Sequence, residues 1–382
     1  MASLLVPRPP TRLDRLFGAV ATLSLVAGAA AVLLEAPLSV LVALGGYGFA
    51  VHTVLWLSVV ASRGLAVARS RWVDALLGFA TLLSAGGTAA VAAVEWGFVP
   101  AWGTLPRVVW GVGVLLSLLV LAVDTLPGLP ARLSGASETG RLVLLALHVG
   151  YATLAVGVYA TFAVPLGYPS PVTTPLGVAH LLLGGVAVPC AAGLVALAPR
   201  AYGRPLPWPL VAVALPAAAF GPPIVALGLP AGILVLVGAT LEAVGLGALL
   251  VALLYTTVTA AARPAGTGSL LVGLLFGSGM LLLGGAFSRV TLVADVVSVE
   301  YRLAALGFLG LALLSGTRYA LRRVVLPLGS AVTFLVTVGL LVELGAGRLG
   351  VPSAVGQGVV LLAVLLYAVD VGRTLAGRGT GE

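Results

Sequence analysis

The sequence predicts an all-α polytopic membrane protein that crosses a lipid bilayer twelve times, with both termini cytoplasmic. Three observations lead there. Hydrophobic residues make up 60% of the chain and charged ones 8%, with a mean hydropathy of +1.18, more apolar surface than a soluble domain can bury. Windows of about 20 apolar residues, the length that crosses a bilayer core, fit the chain at twelve places. The 20 basic residues, all arginine, also alternate by side. With the N-terminus inside, only Arg107, Arg289, Arg302 and Arg348 fall in outer segments, and the remaining sixteen (20 less 4) fall in inner ones. An even number of spans follows, because a missed helix would scramble that alternation.

Taken in order, the first window is 16–34. It follows Arg8, Arg12 and Arg15 and lacks the short apolar core and small-residue cleavage site of a signal peptide, so it reads as a retained helix. Window 37–62 opens at Pro37 after Glu35 and holds His52 in its inner half. The basic loop RGLAVARSRW leads into 73–98, with Asp74 and Glu95 at its ends, and 105–126 follows with Asp124 near its close. Leu126 to Gly140, about fifteen residues, is the longest polar connection, so one integral membrane domain, 1–382, is expected without an inserted soluble domain.

Window 142–166 carries His148 near its inner end. In window 173–198, His180 lies seven residues from the outer end, roughly 10 Å deep at 1.5 Å per residue. Pro189 is expected to kink that helix, and an Arg-rich exit loop runs from Pro199 to Pro205. Window 206–228 contains Gly221-Pro222-Pro223-Ile224, and 229–258 holds Glu242 near mid-bilayer. Windows 269–289, 296–316, 324–347 and 353–372 complete the set. Paired small residues (Gly45-Gly46, Gly86-Gly87, Gly184-Gly185, Gly284-Gly285) predict close helix packing in lipid.

Ionisable groups inside a membrane are costly, which makes each of them a candidate site. His52 and His148 read first as imidazoles hydrogen-bonded to a neighbouring helix. The competing reading has them facing each other to ligate one haem, such as haem b. For His180 the structural and functional readings stand level. Glu242 is expected to be neutral or paired with a buried donor, and a proton relay and a structural hydrogen bond are both open to it. The other acids, Glu35, Asp74, Glu95, Asp124, Asp295, Glu343 and Asp370, read as solvated interfacial groups. Glu300 and Arg302, two apart, point to different helix faces, and Arg302 reads as snorkelling outward.

Several classes are excluded. Cys190 is the one cysteine, so no internal disulfide or cysteine-based metal cluster forms. The net charge of +8 is spread over short loops and builds no nucleic-acid-binding face. Phosphate loops, nucleophile elbows and His-Glu-x-x-His zinc motifs are absent.

The run AHLLLGGVAVPCAAGLVALAPRAYGRPLPWPL, followed by ALPAAAFGPPIVALGLP, resembles the catalytic subunit (subunit I) of the haem–copper oxidases, nearest the cbb3-type branch. His180, Gly184, Gly193, Pro199-Arg200 and Arg204-Pro205 fit the family's copper-histidine helix and its exit. Gly221-Pro222 and Leu229-Pro230 fit the next helix. There Pro223-Ile224 stand where the family has two copper-binding histidines. Pro37-Leu38-Ser39 resembles a Pro-Leu-His haem-ligand motif with serine in place of histidine. Glu300-Tyr301-Arg302, ahead of Ala305-Leu306-Gly307-Phe308, resembles a helix that opens with two haem-binding histidines in the family. Ser39, His180, Pro222-Pro223 and Glu300–Arg302 all fall in the outer third of the predicted topology, the level of the family's metals. The resemblance therefore implies a twelve-helix respiratory-type protein of a prokaryotic plasma membrane, with other respiratory-complex subunits as partners. It also implies that only His180 survives among the metal ligands. One histidine does not hold copper at a three-histidine site, and arginine is a donor-only group. A pseudoenzyme or companion subunit without bound cofactor is the expected outcome.

Two other classes stay open. His148-Val149-Gly150-Tyr151 and His180 resemble a haem-binding membrane protein of the nitric-oxide-response (NnrS-like) type. A proton- or solute-translocating carrier suits twelve helices with cytoplasmic ends.

Overall fold

Why the chain forms these helices is set by its solvent: with no water to satisfy backbone groups, an apolar segment closes its hydrogen bonds within itself. The computed structural model describes residues 11–65, 71–100, 102–229, 232–260, 267–287, 303–313 and 328–376, and these are helical apart from their connections. Among the described residues, ten helices are long and apolar enough to cross a membrane. They correspond to windows one to eight, eleven and twelve. The ninth window is an apolar helix, Thr267–Phe287. Of the tenth, only 303–313 is described, as a π-helix, Leu303–Gly310, continued by one α-turn. Glu300, Arg302 and Asp295 lie outside the described residues.

The helices group into two units, residues 1–126 with 320–382 and residues 127–319. In the first unit, α1 (Arg12–Leu33) starts on a capping box: Thr11 Oγ1 accepts from the Asp14 amide while the Thr11 amide donates to the Asp14 carboxylate at 2.8 Å. Helix α2 has three stretches: an α-turn, Leu38–Leu41, a π-helix, Val42–Ala50, and an α-helix, Val51–Leu65. Helices α3 (Arg71–Glu95) and α4 (Leu105–Thr125) pack backbone to backbone at Gly87 and Gly113. A Cβ on Gly113 would lie 2.5 Å from the Ser84 amide nitrogen.

The second unit begins with a short helix, α5 (Leu129–Gly135), inside the connection expected to be plain loop. Its Pro130 is suited to a first turn, where the missing N–H has no partner to lose. Then come α6 (Glu138–Ala163), α7 (Pro175–Tyr202), α8 (Trp208–Gly228), α9 (Gly232–Thr259), α10 (Thr267–Phe287) and the π-helical α11 (Leu303–Gly310). The first unit closes with a hairpin, α12 (Leu328–Leu349) and α13 (Ser353–Leu375).

Three expectations are corrected. The segment Pro199–Tyr202 is not exit loop but the last turn of α7, which runs through both Pro189 and Pro199 and stops at Gly203, φ +70°. The left-handed φ there is open to glycine without steric cost. The loop residues nonetheless have a structural task. The Tyr202 hydroxyl pairs with Thr267 Oγ1 at 3.2 Å, and Arg204 donates to Thr259 Oγ1 at 2.9 Å while lying over the Tyr255 ring. Second, not all end-acids are solvated. Glu343 is buried and accepts from Gln357 Nε2 at 3.2 Å, and Asp370 is 2% exposed. Third, of the glycine pairs, Gly184 and Gly185 both sit in helix contacts, whereas Gly45 faces open space.

Candidate functional site

Each histidine is held first by its own helix. His52 is fully buried on α2, where Nδ1 faces two carbonyl oxygens, Gly48 at 2.7 Å and Tyr47 at 3.0 Å. Carbonyls only accept, so the ring hydrogen belongs on Nδ1. Those carbonyls belong to the π-helix, in which bonding shifts to i→i+5 and local geometry departs from the α ladder. On the far side of the ring, Nε2 lies 2.8 Å from Ser84 Oγ of α3, which is also 3.0 Å from the Thr81 carbonyl. The Ser84 hydroxyl donates to the Thr81 carbonyl, and its oxygen meets Nε2 at hydrogen-bond distance. Both ring nitrogens are thereby engaged by protein groups, an arrangement that does not fit an axial haem ligand. Of the two readings of His52, the hydrogen-bonded one describes the contacts seen. Ser84 was missed in the sequence, where nothing distinguishes it from other helical serines.

His148 on α6 differs. Its Nδ1–H donates to the Leu144 carbonyl at 2.7 Å, and its ring lies edge-on to Tyr151. Its Nε2 is buried with no hydrogen-bond partner among the described residues. A ring nitrogen fixed as an acceptor by a hydrogen bond at the other nitrogen is the form in which histidine ligates iron or other metals. The donor set of this one residue therefore fits a haem iron.

His180 is half-buried on α7, with Nδ1 3.3 Å from the Leu176 carbonyl. Helices α6 and α7 are antiparallel, with Gly150 against Pro189, Leu154 against Gly185 and Gly157 against Leu181. Those pairings set His180 level with residue 159 of α6. His148 lies eleven residues away (159 less 148), about 16 Å at 1.5 Å per residue. The two histidines of this unit do not share one centre. His52 belongs to the other unit.

Around His180 the neighbours come from α8. Gly184, one turn along, packs on the Pro222 ring, and Gly177 faces the Ala226 carbonyl. Leu181 and Gly185 face α6, so His180 lies on the flank of α7 turned away from α6. Pro223 and Ile224, half-buried, follow Pro222 and carry no ligating group. Among the described residues, no three His, Cys, Asp or Glu side chains cluster in a way that could hold a metal ion. A three-histidine copper site does not fit the donors around His180.

Glu242 completes the seam. Half-buried on α9, its side chain rests on Gly221 of α8, where a Cβ would come within 2.5 Å of Glu242 Cγ. Helices α7 and α9 both pack on α8 and touch each other. The structure thus places Pro222 at the α7–α8 contact near His180 and Glu242 at the α8–α9 contact of the second unit. Ser39, half-buried on α2, belongs to the first unit. No protein-family model matches the chain, and no curated protein matches it either.

Proposed function

We propose that this chain is a membrane protein of the haem–copper-oxidase subunit I type that has lost the dinuclear centre, and that it serves as a companion subunit in a prokaryotic plasma membrane without itself reducing oxygen. The observation that supports the reading is the donor set about His180 among the described residues. The nearest helix offers proline and isoleucine at the level where a copper site needs two more imidazoles, and His148 is about 16 Å away along the bundle. The sixteen-to-four arginine distribution supports twelve spans with both termini cytoplasmic. Purified protein analysed for iron and copper, with an absorbance spectrum and an oxygen electrode, tests the proposal. The expected result is no copper and no oxygen uptake; haem b bands together with oxygen uptake overturn it.

A second reading, a haem-binding protein of the nitric-oxide-response type, is favoured by the Nε2 of His148, buried without a hydrogen-bond partner among the described residues. A bound haem would supply redox or gas-binding chemistry, with His148 as its protein ligand. That reading predicts a Soret band in the wild type that is lost in His148→Ala and retained in His52→Ala.

A further inference from the structure

Four helix ends meet at one end of the second unit: α7 closes at Tyr202, α8 opens at Trp208, α9 closes at Thr259 and α10 opens at Thr267. The Tyr202 hydroxyl lies 3.2 Å from Thr267 Oγ1 and accepts from Thr257 Oγ1 at 3.4 Å, which ties α7, α9 and α10 together there. Two residues on, Arg204 Nη1 donates to Thr259 Oγ1 at 2.9 Å and to the Thr259 carbonyl at 3.4 Å. Its guanidinium carbon is 5.4 Å from the centroid of the Tyr255 ring. These contacts use one of the three guanidinium nitrogens and one face of the plane. Among the described residues, Nε and Nη2 make no hydrogen bond and no acid pairs with the charge. From 199 to 207 and from 260 to 266 the sequence holds Arg200, Arg204 and Arg263 and no acid. Depth is marked by two rings: Tyr255 is 51% exposed and Trp208 39%, and tyrosine and tryptophan collect at the level of lipid headgroups.

We propose that Arg204 binds the phosphate of an anionic phospholipid through Nε and Nη2, while Thr259 and Tyr255 hold the guanidinium in place. Those two nitrogens form one edge of the planar fork, and such an edge donates two parallel bonds to a phosphate. A guanidinium already oriented by its neighbours loses less freedom when the ligand arrives. Phosphatidylcholine offers a phosphate too, but its own ammonium cancels the charge; arginines without a neighbouring acid favour a headgroup that stays negative. The site does not depend on the proposed kinship with oxidases, so metal analysis and lipid binding fail or succeed separately.

The test uses full-length protein in dodecyl maltoside, titrated with phosphatidylglycerol or phosphatidylcholine, with bound lipid counted by native mass spectrometry. The wild type is expected to bind one phosphatidylglycerol about five-fold tighter than phosphatidylcholine, the order of effect of one interfacial arginine. Arg204→Ala should remove most of that preference and Thr259→Val part of it. Arg141→Ala, which removes an exposed arginine in the first turn of α6 at the same end, should leave it unchanged. Equal affinity of the wild type for the two lipids overturns the proposal, as does a preference that survives Arg204→Ala or falls as far in Arg141→Ala. Inorganic phosphate at the lipid's own concentration should not displace it; displacement would mark a site for free anions and overturn the lipid assignment. Should Arg204→Ala fail to fold, Arg204→Lys, which keeps the charge without the fork, reads the same site: a reduced preference supports it and an unchanged one removes it.

Discussion

The crossing of α2, α3 and α4 around His52 and the seam of α7, α8 and α9 around Glu242 treat polar groups in opposite ways. At the first, an imidazole is saturated by two backbone carbonyls and a serine from another helix. Gly87 and Gly113 let the backbones of α3 and α4 come together there. At the second, three prolines interrupt one helix, an acid rests on a glycine, and a half-buried histidine keeps one weak bond to its own helix. A fully bonded group buried in a tight crossing serves the fold. Both regions are rich in glycine, so glycine content alone does not separate them; what faces each glycine does.

This contrast can be broken at its strongest point first. Gly113→Val in α4 places side-chain carbons against the Ser84 backbone, which has no way to yield without moving α3. Overpacking of this kind costs about 1–3 kcal/mol and more when backbone is the obstacle. A marked fall in Tm and in detergent-stable yield is expected; wild-type melting would show that the crossing is looser than described. Next in size is the histidine pair. His52→Ala opens a buried cavity and removes the Ser84 partner, an expected loss of about 2–4 kcal/mol. His180→Ala removes a half-buried ring with a single 3.3 Å contact and should change stability by under about 1 kcal/mol. Parallel unfolding curves compare the two, and equal losses would erase the distinction between the sites.

Ser84→Ala sharpens it further. Stranding the His52 Nε2 should cost about 1–3 kcal/mol, and Ser84→Thr, which keeps the hydroxyl, should recover part of that. The smallest effect is expected at Arg107→Ala. This removes the 2.7 Å ion pair with Glu95, whose partners are 36% and 25% exposed, and pairs of that kind contribute about 0–1 kcal/mol. Salt titration should erase what little difference appears.

Much of this was legible beforehand where the signal is local. Ten of the twelve apolar windows recur as helices long enough to cross a bilayer, because length and hydropathy are properties of a segment by itself. Proline was legible too: Pro222-Pro223 already states that two carbonyls go without their helical partners. The contact between Ser84 and His52 was not, since it joins residues 32 apart on different helices. Nor was the π-helix at Val42–Ala50, whose residues carry no pattern distinct from an α-helix. The buried states of Glu343 and Asp370 were missed because distance from a helix end says nothing about which neighbour covers it.

By itself, then, the amino-acid order determined that the described residues are mostly helical and apolar, and which residues bring charge or a broken ladder into the bilayer. Those outcomes depend on each segment's exchange with lipid and on its own backbone bonds. Only the tertiary structure decided that both ring nitrogens of His52 meet protein groups, that His148 Nε2 has no hydrogen-bond partner among the described residues, and that Glu242 rests on Gly221. Each of these depends on which face of one helix meets another, and that is settled by packing between segments.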